Sequence, residues 1–148
     1  MTRRQESLEA VRRITTEREK EAGRELAELR RRLKEAEARM AELLEYRRQY
    51  QERFHLAGRR GMGVGQLNEY RIFLSRLDQA LAQQRQTVAR CRTAFERGQA
   101  RWLECRRECK AVDKLADRRR QEARRRAGSR EQKELDEFAS RRHKGVLA

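Results

Sequence analysis

The sequence predicts an all-α protein in which two long helices form an antiparallel coiled-coil hairpin with a C-terminal helical overhang. Three observations lead to this fold class. The 148 residues include no proline, apolar residues recur at heptad spacing in two long segments, and a glycine-rich stretch joins the segments. Charged residues make up 43% of the chain, which would also suit disorder. The regular order of the apolar residues favours the coiled coil, and the length suits a single domain over residues 1–148.

The first helix is predicted over about residues 3–57, where Gly23 is the only helix breaker. Its seam, the stripe of positions that faces the other helix, follows alternating steps of four and three. Upstream, positions 8, 11, 15 and 18 keep a similar rhythm, and the join to position 22 predicts a stutter. The seam positions are Ala22, Leu26, Leu29, Leu33, Ala36, Met40, Leu43, Arg47, Tyr50 and Phe54.

A turn is predicted at residues 58–65, which read GRRGMGVG, with Gly58 as a left-handed cap of the first helix. The second helix is predicted over about residues 66–143, ending before Gly145. Its seam keeps the three-four alternation throughout, which a disordered chain has no reason to do. The seam positions are Leu67, Tyr70, Leu74, Leu77, Leu81, Gln84, Val88, Cys91, Phe95, Gly98, Trp102, Cys105, Cys109, Val112 and Ala116.

A short link forces the two helices to lie antiparallel, so the numbers of facing residues should add up to about 123. The first helix is then used up opposite position 115, and the second helix continues from about residue 119 as an overhang. At 1.5 Å per residue, the paired part measures about 80 Å and the overhang about 35 Å. Gly128 and Ser129 make the overhang a weak helix that would become ordered on binding a partner.

The net charge of +15 suggests a polyanionic partner, either nucleic acid or an acidic protein surface. Because arginine greatly outnumbers lysine, part of this charge is explained equally well by a GC-rich genome. The chain shows no secretory signal and no long apolar run. Its three cysteines are an odd number, which argues against a disulfide framework and favours the cytoplasm.

No catalytic constellation is present, so we expect a protein that is not an enzyme and uses no cofactor or metal. Cys105 and Cys109 share a helix face, but both occupy seam positions and no histidine lies near them, which favours two small core residues. The glycine-rich stretch lacks the preceding strand and the Gly-Lys-Ser/Thr ending of a phosphate-binding loop. Scattered carboxylates beside arginines are typical of solvated helix surfaces.

An arginine cluster at residues 118–126 resembles the layout of a basic zipper, in which a basic helix enters DNA from a coiled coil. Asp117 and Glu122 interrupt the cluster, no asparagine lies near it to read bases, and no parallel zipper is evident. The competing interpretation is a basic arm that docks on an acidic protein ring.

Three stretches of the sequence resemble one family. They are LLEYRRQY at residues 43–50, YRIFLSRL at 70–77 and EQKELDEFA at 131–139. Together they are similar to the flagellar export protein FliJ, whose design is shared by the YscO-type proteins of injectisomes. The resemblance implies a non-catalytic, cytoplasmic helical hairpin similar to the central stalk of rotary ATPases. It also implies binding to the export ATPase hexamer (FliI-like) and to the export gate protein (FlhA-like), a peripheral position at the inner membrane, and escort of export chaperones.

The first two stretches carry the export-gate contact in FliJ-like proteins. The antiparallel arrangement brings their matching positions into one stripe, in which exposed aromatic residues would suit a binding hot spot. The alternative is that these residues are ordinary seam residues. The positions are Leu43, Tyr46, Tyr50, Phe73, Leu77, Ala80 and Gln84.

The overhang is predicted to dock on the ATPase, because a basic rod is attracted to acidic loops. Two other functions remain open: a basic coiled coil that binds nucleic acid, and a structural coiled coil that dimerises through its seam. The resemblance favours the export role, without specific nucleic-acid binding. The predicted docking residues are Arg118, Arg119, Arg124, Arg125, Gln132, Lys133, Asp136 and Glu137.

Overall fold

The computed structural model describes the backbone of residues 3–147 and the side chains of residues 3–145. Helix α1 spans Arg3–Arg59 and helix α2 spans Val64–Leu147, with no strand in the described part. The two helices pack against each other as a hairpin, which confirms the predicted fold class. Their contacts fall into two units. The turn unit is Lys20–Glu104, and the terminal unit combines the described residues up to Glu19 with those from Cys105 on.

The turn unit has the predicted seam on both helices. Every predicted seam position from Ala22 to Phe54, and every one from Leu67 to Trp102, is buried or half-buried. The most buried side chains are small or branched aliphatic groups, which allow two helices to approach closely. A hairpin buries only one stripe of each helix, so no large side chain in the described part is fully buried. The core residues of this unit are Ala22, Leu26, Ala36, Leu77 and Leu81.

In the terminal unit the predicted stutter is wrong. Val11 and Arg18 are exposed, whereas Arg12 and Glu19 are half-buried, together with Leu8 and the buried Thr15. The steps of four and three therefore run on without interruption from position 8. The seam accepts Arg12 because its aliphatic stem can lie over the partner helix while its guanidinium reaches a carboxylate. Its Nε lies 3.1 Å from an oxygen of Asp113 on α2.

The turn is shorter than predicted, and its left-handed glycine is Gly61, not Gly58. Gly58 lies within α1, while Gly61 has a φ of 88°. The amides of Arg60 and Gly61 donate to the carbonyls of Ala57 and Gly58, at 3.1 and 3.3 Å, which tightens the helix end. Helix α2 opens with a hydrogen bond from the amide of Leu67 to the carbonyl of Gly63. One residue with positive φ, Gly61, is enough to end α1, so Gly58 remains part of the helix.

Helix α2 continues to Leu147, four residues past its predicted end, so neither Gly128 nor Gly145 interrupts it. Residues 120–145 are all exposed, in agreement with the predicted overhang. A helix with no buried face depends on its intrinsic propensity and on pairs of side chains along its surface. Such a segment is free to accept a partner on any side.

Ion pairs between the helices line the turn unit. Arg47 Nε lies 2.7 Å from Asp78, and Arg101 lies 3.1 Å from Glu25. These side chains are at least one-third exposed, so each pair contributes little stability. On the outer face of α1, the guanidinium of Arg31 lowers the pKa of Glu28 to about 2. We expect the two pairs between the helices, Arg47–Asp78 and Arg101–Glu25, to specify the register more than to stabilise the fold.

The two helices approach each other closely at Gly98, and a substitution there tests this packing. Gly98 is buried, and a Cβ atom on it would lie 2.5 Å from Cδ1 of Leu29. We expect Gly98→Leu to lower the free energy of unfolding by about 1–3 kcal/mol through overpacking. Gly23→Ala is the control, since a Cβ there meets Trp102 at an ordinary 3.5 Å and gains helix propensity of about 0.5–1 kcal/mol. Urea unfolding of both variants measures the difference, and equal gains in stability would contradict it.

Candidate functional site

Five aromatic side chains form a ladder across the seam next to the turn. From the turn outward, it alternates between the helices in the order Phe54, Tyr70, Tyr50, Phe73 and Tyr46. Successive ring centroids lie 3.4, 5.3, 4.2 and 5.9 Å apart, and the last contact is edge-to-face. The chain has eight aromatic residues in total, so more than half of them are concentrated here. Aromatic pairs contribute about 0.5–1.5 kcal/mol each beyond their burial, which makes this a rigid part of the hairpin.

The ladder ends at the surface, in a groove between the two helices. Leu43 and Leu77 line this groove together with the rings of Tyr46 and Phe73. The side chain of Tyr46 is 49% exposed, although tyrosine has a large apolar ring. We call this surface the aromatic groove. It combines a rigid apolar floor with an accessible phenol, the arrangement that suits a binding hot spot.

Charged side chains form the rim of the aromatic groove. Arg39 and Glu42 stand on α1 and Arg76 stands on α2. Arg39 lies 3.4 Å from Glu42 in an exposed pair. Arg76 has no carboxylate partner among the described residues, so the rim carries one uncompensated positive charge. A partner that presents an apolar anchor beside an acidic group would match both features.

The predicted gate residues divide into two groups in this geometry. Leu43, Tyr46, Phe73 and Leu77 come together in the aromatic groove. The other three are half-buried within the hairpin. Tyr50 is stacked between Tyr70 and Phe73; Ala80 is a seam neighbour; and Gln84 donates a hydrogen bond of 2.9 Å to the carbonyl oxygen of Ala36.

Sequence reasoning missed the contributions of Tyr70 and Phe54 to the site. Both were assigned only to the seam, yet they support Tyr50 and so hold the ladder in place. The signal was available, because aromatic residues occupied facing seam positions close to the turn. Arg76 could not have been found in this way, since arginine is spread over the whole chain.

The predicted ATPase-docking residues lie in the terminal unit, and all of them except Arg119 are exposed. Arg118, Arg124 and Arg125 are exposed, with no ion pair in the part of the chain that the structure describes. Arg119 differs, because it is half-buried and its Nη1 donates to the carbonyl oxygen of Arg4 at 3.3 Å. Gln132, Lys133, Asp136 and Glu137 are exposed, and the amide of Gln132 lies 3.4 Å from Asp136.

Two apolar residues of the overhang, Leu135 and Phe138, are not among the predicted docking residues. Leu135 and Phe138 are 64% and 65% exposed, and a spacing of three puts them on one face of α2. Their signal in the sequence was an apolar pair in a stretch that no longer follows the seam. Large exposed apolar side chains amid charged ones are typical of a surface that a partner covers.

The cysteines have the properties of core residues. Cys109 is buried, and its Sγ lies 3.9 Å from Oγ1 of Thr16. Hydrogen bonding to Glu19 and burial raise the pKa of the Cys109 thiol, which keeps it protonated and a poor nucleophile. Among the described residues, no three histidine, cysteine or acidic side chains cluster as metal ligands would. Nor does the described chain contain a helix long and apolar enough to cross a bilayer.

Comparison with known proteins adds one match. The family described as "Flagellar FliJ protein" matches residues 4–146, which is nearly the whole chain. A search of curated proteins finds no match. The family match covers the turn unit and the terminal unit alike, so it applies to the aromatic groove and to most of the overhang.

Proposed function

Because the chain belongs to the flagellar FliJ protein family, a structural component of flagellar protein export, we propose that it is the non-catalytic stalk of the export apparatus. In this role it links the export ATPase ring to the export gate. The observation that carries the proposal is that each unit presents its own unsatisfied surface. The turn unit has a rigid aromatic groove, and the terminal unit has a bare basic helix. An adaptor between two proteins needs two such surfaces, and an isolated structural rod needs neither.

The ATPase contact is assigned to the overhang. Arg118, Arg124 and Arg125 are exposed and form no ion pair among the described residues, so docking at these three side chains would break none. A helix held in a ring by charges can turn or tilt, because such contacts lack the interlocking of an apolar interface. Leu135 and Phe138 add two apolar anchors to this surface.

The gate contact is assigned to the aromatic groove. Tyr46 and Phe73 are preorganised by the ladder, so little side-chain freedom is lost on binding. Leu77 is buried and Gln84 is engaged by the backbone of α1, so their part is to shape the hairpin under the groove. Binding to both partners would hold the protein in the cytoplasm at the inner membrane, where it could also receive export chaperones.

The test is the hydrolysis rate and ring assembly of the cognate export ATPase at physiological salt, with and without the protein. We expect substoichiometric amounts of the full chain to stimulate both. A chain ending at residue 119 should lose most of the stimulation, because it keeps the paired helices but not the overhang. A variant with Leu44→Ala, which changes an exposed residue of the turn unit, is the control and should stimulate normally. Stimulation by the shortened chain would remove the overhang from the proposal, and no stimulation by the full chain would remove the stalk role.

A further inference from the structure

A second groove lies in the terminal unit, and Arg119 is its one lining residue that also belongs to the predicted ATPase-docking set. Leu8 and Val11 of α1 face Val112 and Leu115 of α2 along it. Val11 is 42% exposed and Leu115 is 43% exposed. They are large apolar residues beside a seam that is already complete, because Leu8, Arg12 and Thr15 supply the α1 side of that seam. Their exposed surface therefore contributes nothing to the hairpin. We call this surface the terminal groove.

The rim of the terminal groove is wholly basic. Arg3 and Arg4 stand on one side and Arg119 on the other, and the remaining lining residue is Ser7. No carboxylate among the described residues lines it. Asp113 of α2 does not line the groove and is held in an ion pair by Arg12. A ligand here would meet an apolar floor between uncompensated positive charges.

The positive field extends past the groove. A neighbouring recess is lined by Arg4, Arg119, Arg126 and Arg130, with Glu122 as its one acidic residue. Clustered charges of one sign raise the local concentration of an oppositely charged partner and speed its encounter. The apolar floor gives such a partner a reason to stay after the encounter.

We infer that the terminal groove docks an amphipathic helix of another protein, with its apolar face on the floor and acidic residues flanking that face. The floor extends over one turn of each helix, from Leu8 to Val11 and from Val112 to Leu115. It therefore suits a helix that anchors through residues spaced by three or four, as in helix-in-groove recognition. Docking would complete a local three-helix arrangement, which buries the apolar surface that the hairpin leaves exposed.

A second copy of this chain is the rival occupant. Its acidic stretch at residues 131–139 carries the exposed Leu135 and Phe138. However, the arginine cluster at 118–126 precedes that stretch on the same continuous helix. Seating the stretch in the groove would bring these arginines close to Arg3, Arg4 and Arg119. Like charges placed together disfavour such a dimer, so the charge pattern favours a different, acidic protein.

The experiment uses the full chain and two labelled synthetic helical peptides at about 0.15 M salt. Both peptides have leucine anchors at the spacing above, and they differ only in flanking glutamate or lysine residues. We expect the glutamate peptide to bind at least about tenfold more tightly than the lysine peptide. Val11→Asp and Leu115→Asp should each weaken its binding about tenfold or more. Leu103→Asp is the matched control, because Leu103 is also 42% exposed but lies in the turn unit, and it should leave binding unchanged.

Circular dichroism shows whether each variant remains helical, and Arg3→Glu with Arg4→Glu provides a second route that leaves the apolar floor intact. This pair should weaken the glutamate peptide, whereas Arg85→Glu should not. Equal affinity for the two peptides, no binding of either, or an equal loss in Leu103→Asp would each overturn the inference. So would loss on Arg124→Glu with Arg125→Glu but not on the groove variants, or sedimentation of the protein as a dimer that Leu115→Asp dissociates. ATPase stimulation by Val11→Asp and Leu115→Asp is measured in parallel. Normal stimulation together with weakened peptide binding would separate the terminal groove from the proposed stalk role.

Discussion

Tyr46→Ala should weaken binding to the export gate about ten- to hundredfold while the hairpin remains folded. Tyr46 is the accessible end of the aromatic ladder and contacts it through one edge-to-face pair, with Phe73. Losing that pair costs about 1 kcal/mol of stability. A central aromatic anchor of an interface contributes more to binding than this, because its whole ring is removed from water there. The variant therefore separates binding from folding.

Phe73→Ala should weaken gate binding and also destabilise the hairpin, since the Phe73 ring contacts Tyr46 and Tyr50 and lines the aromatic groove. We expect a loss of about 3 kcal/mol or more in the free energy of unfolding, in addition to the loss of gate binding. Calorimetric titration with the cytoplasmic part of the gate protein measures affinity, and urea unfolding measures stability. The comparison of Tyr46→Ala with Phe73→Ala tests whether the ladder preorganises the groove.

Two controls make the gate experiment decisive. Leu44→Ala removes an apolar residue that is 45% exposed but does not line the aromatic groove, and it should bind normally. Gln84→Leu replaces a half-buried amide at the seam with an apolar side chain of similar size, so affinity should stay the same. Equal losses of affinity in Tyr46→Ala and Leu44→Ala would show that the turn unit binds non-specifically through its exposed apolar side chains. If Gln84→Leu were the one variant that lost binding, the gate contact would lie outside the aromatic groove.

The sequence predicts the seam well because burial along a coiled coil depends on spacing more than on residue type. Every predicted seam position from Ala22 to Phe54 and from Leu67 to Ala116 is buried or half-buried, including the polar Arg47 and Gln84. The prediction failed where it preferred residue type to spacing. It placed the apolar Val11 in the seam, whereas the uninterrupted rhythm places Arg12 there. A long arginine is tolerated because its charge can leave the interface and meet Asp113.

The turn and the surfaces were harder to predict for a different reason. Any of several glycines can supply one positive φ, and the sequence does not reveal that Gly61 does so. The direction of a half-exposed side chain depends on small rotations of the helix about its axis. For this reason the sum of 123 pairs Tyr50 with Phe73, whose ring centroids lie 4.2 Å apart, but it does not reveal the additional edge-to-face contact between Phe73 and Tyr46. The terminal groove follows from the same cause, since it exists only because Val11 lies beside the seam.

Reversing the charges of Arg124 and Arg125 should raise the amount of protein needed for ATPase stimulation at least about tenfold. Both side chains are exposed and unpaired in the described chain, so substitution by glutamate removes attraction and adds repulsion without disturbing a fold contact. Glutamate is also a good helix former, and the overhang should stay helical by circular dichroism. A loss of stimulation with the helix intact would therefore support the proposed interface with the ATPase.

Salt provides the second measurement for this charge reversal. Exposed charges are screened within about 8 Å at physiological ionic strength, so half-maximal stimulation by the unaltered protein should need more protein as salt rises. The reversed variant should respond less to salt, because it has lost the attractive pairs. Lysine at both positions keeps the charge and should restore most of the activity. Arg59→Glu with Arg60→Glu changes the net charge equally at the turn, where both arginines are exposed. If this control pair were as harmful as the reversal at 124 and 125, total charge and not the overhang would drive assembly, and the stalk would need no defined docking surface.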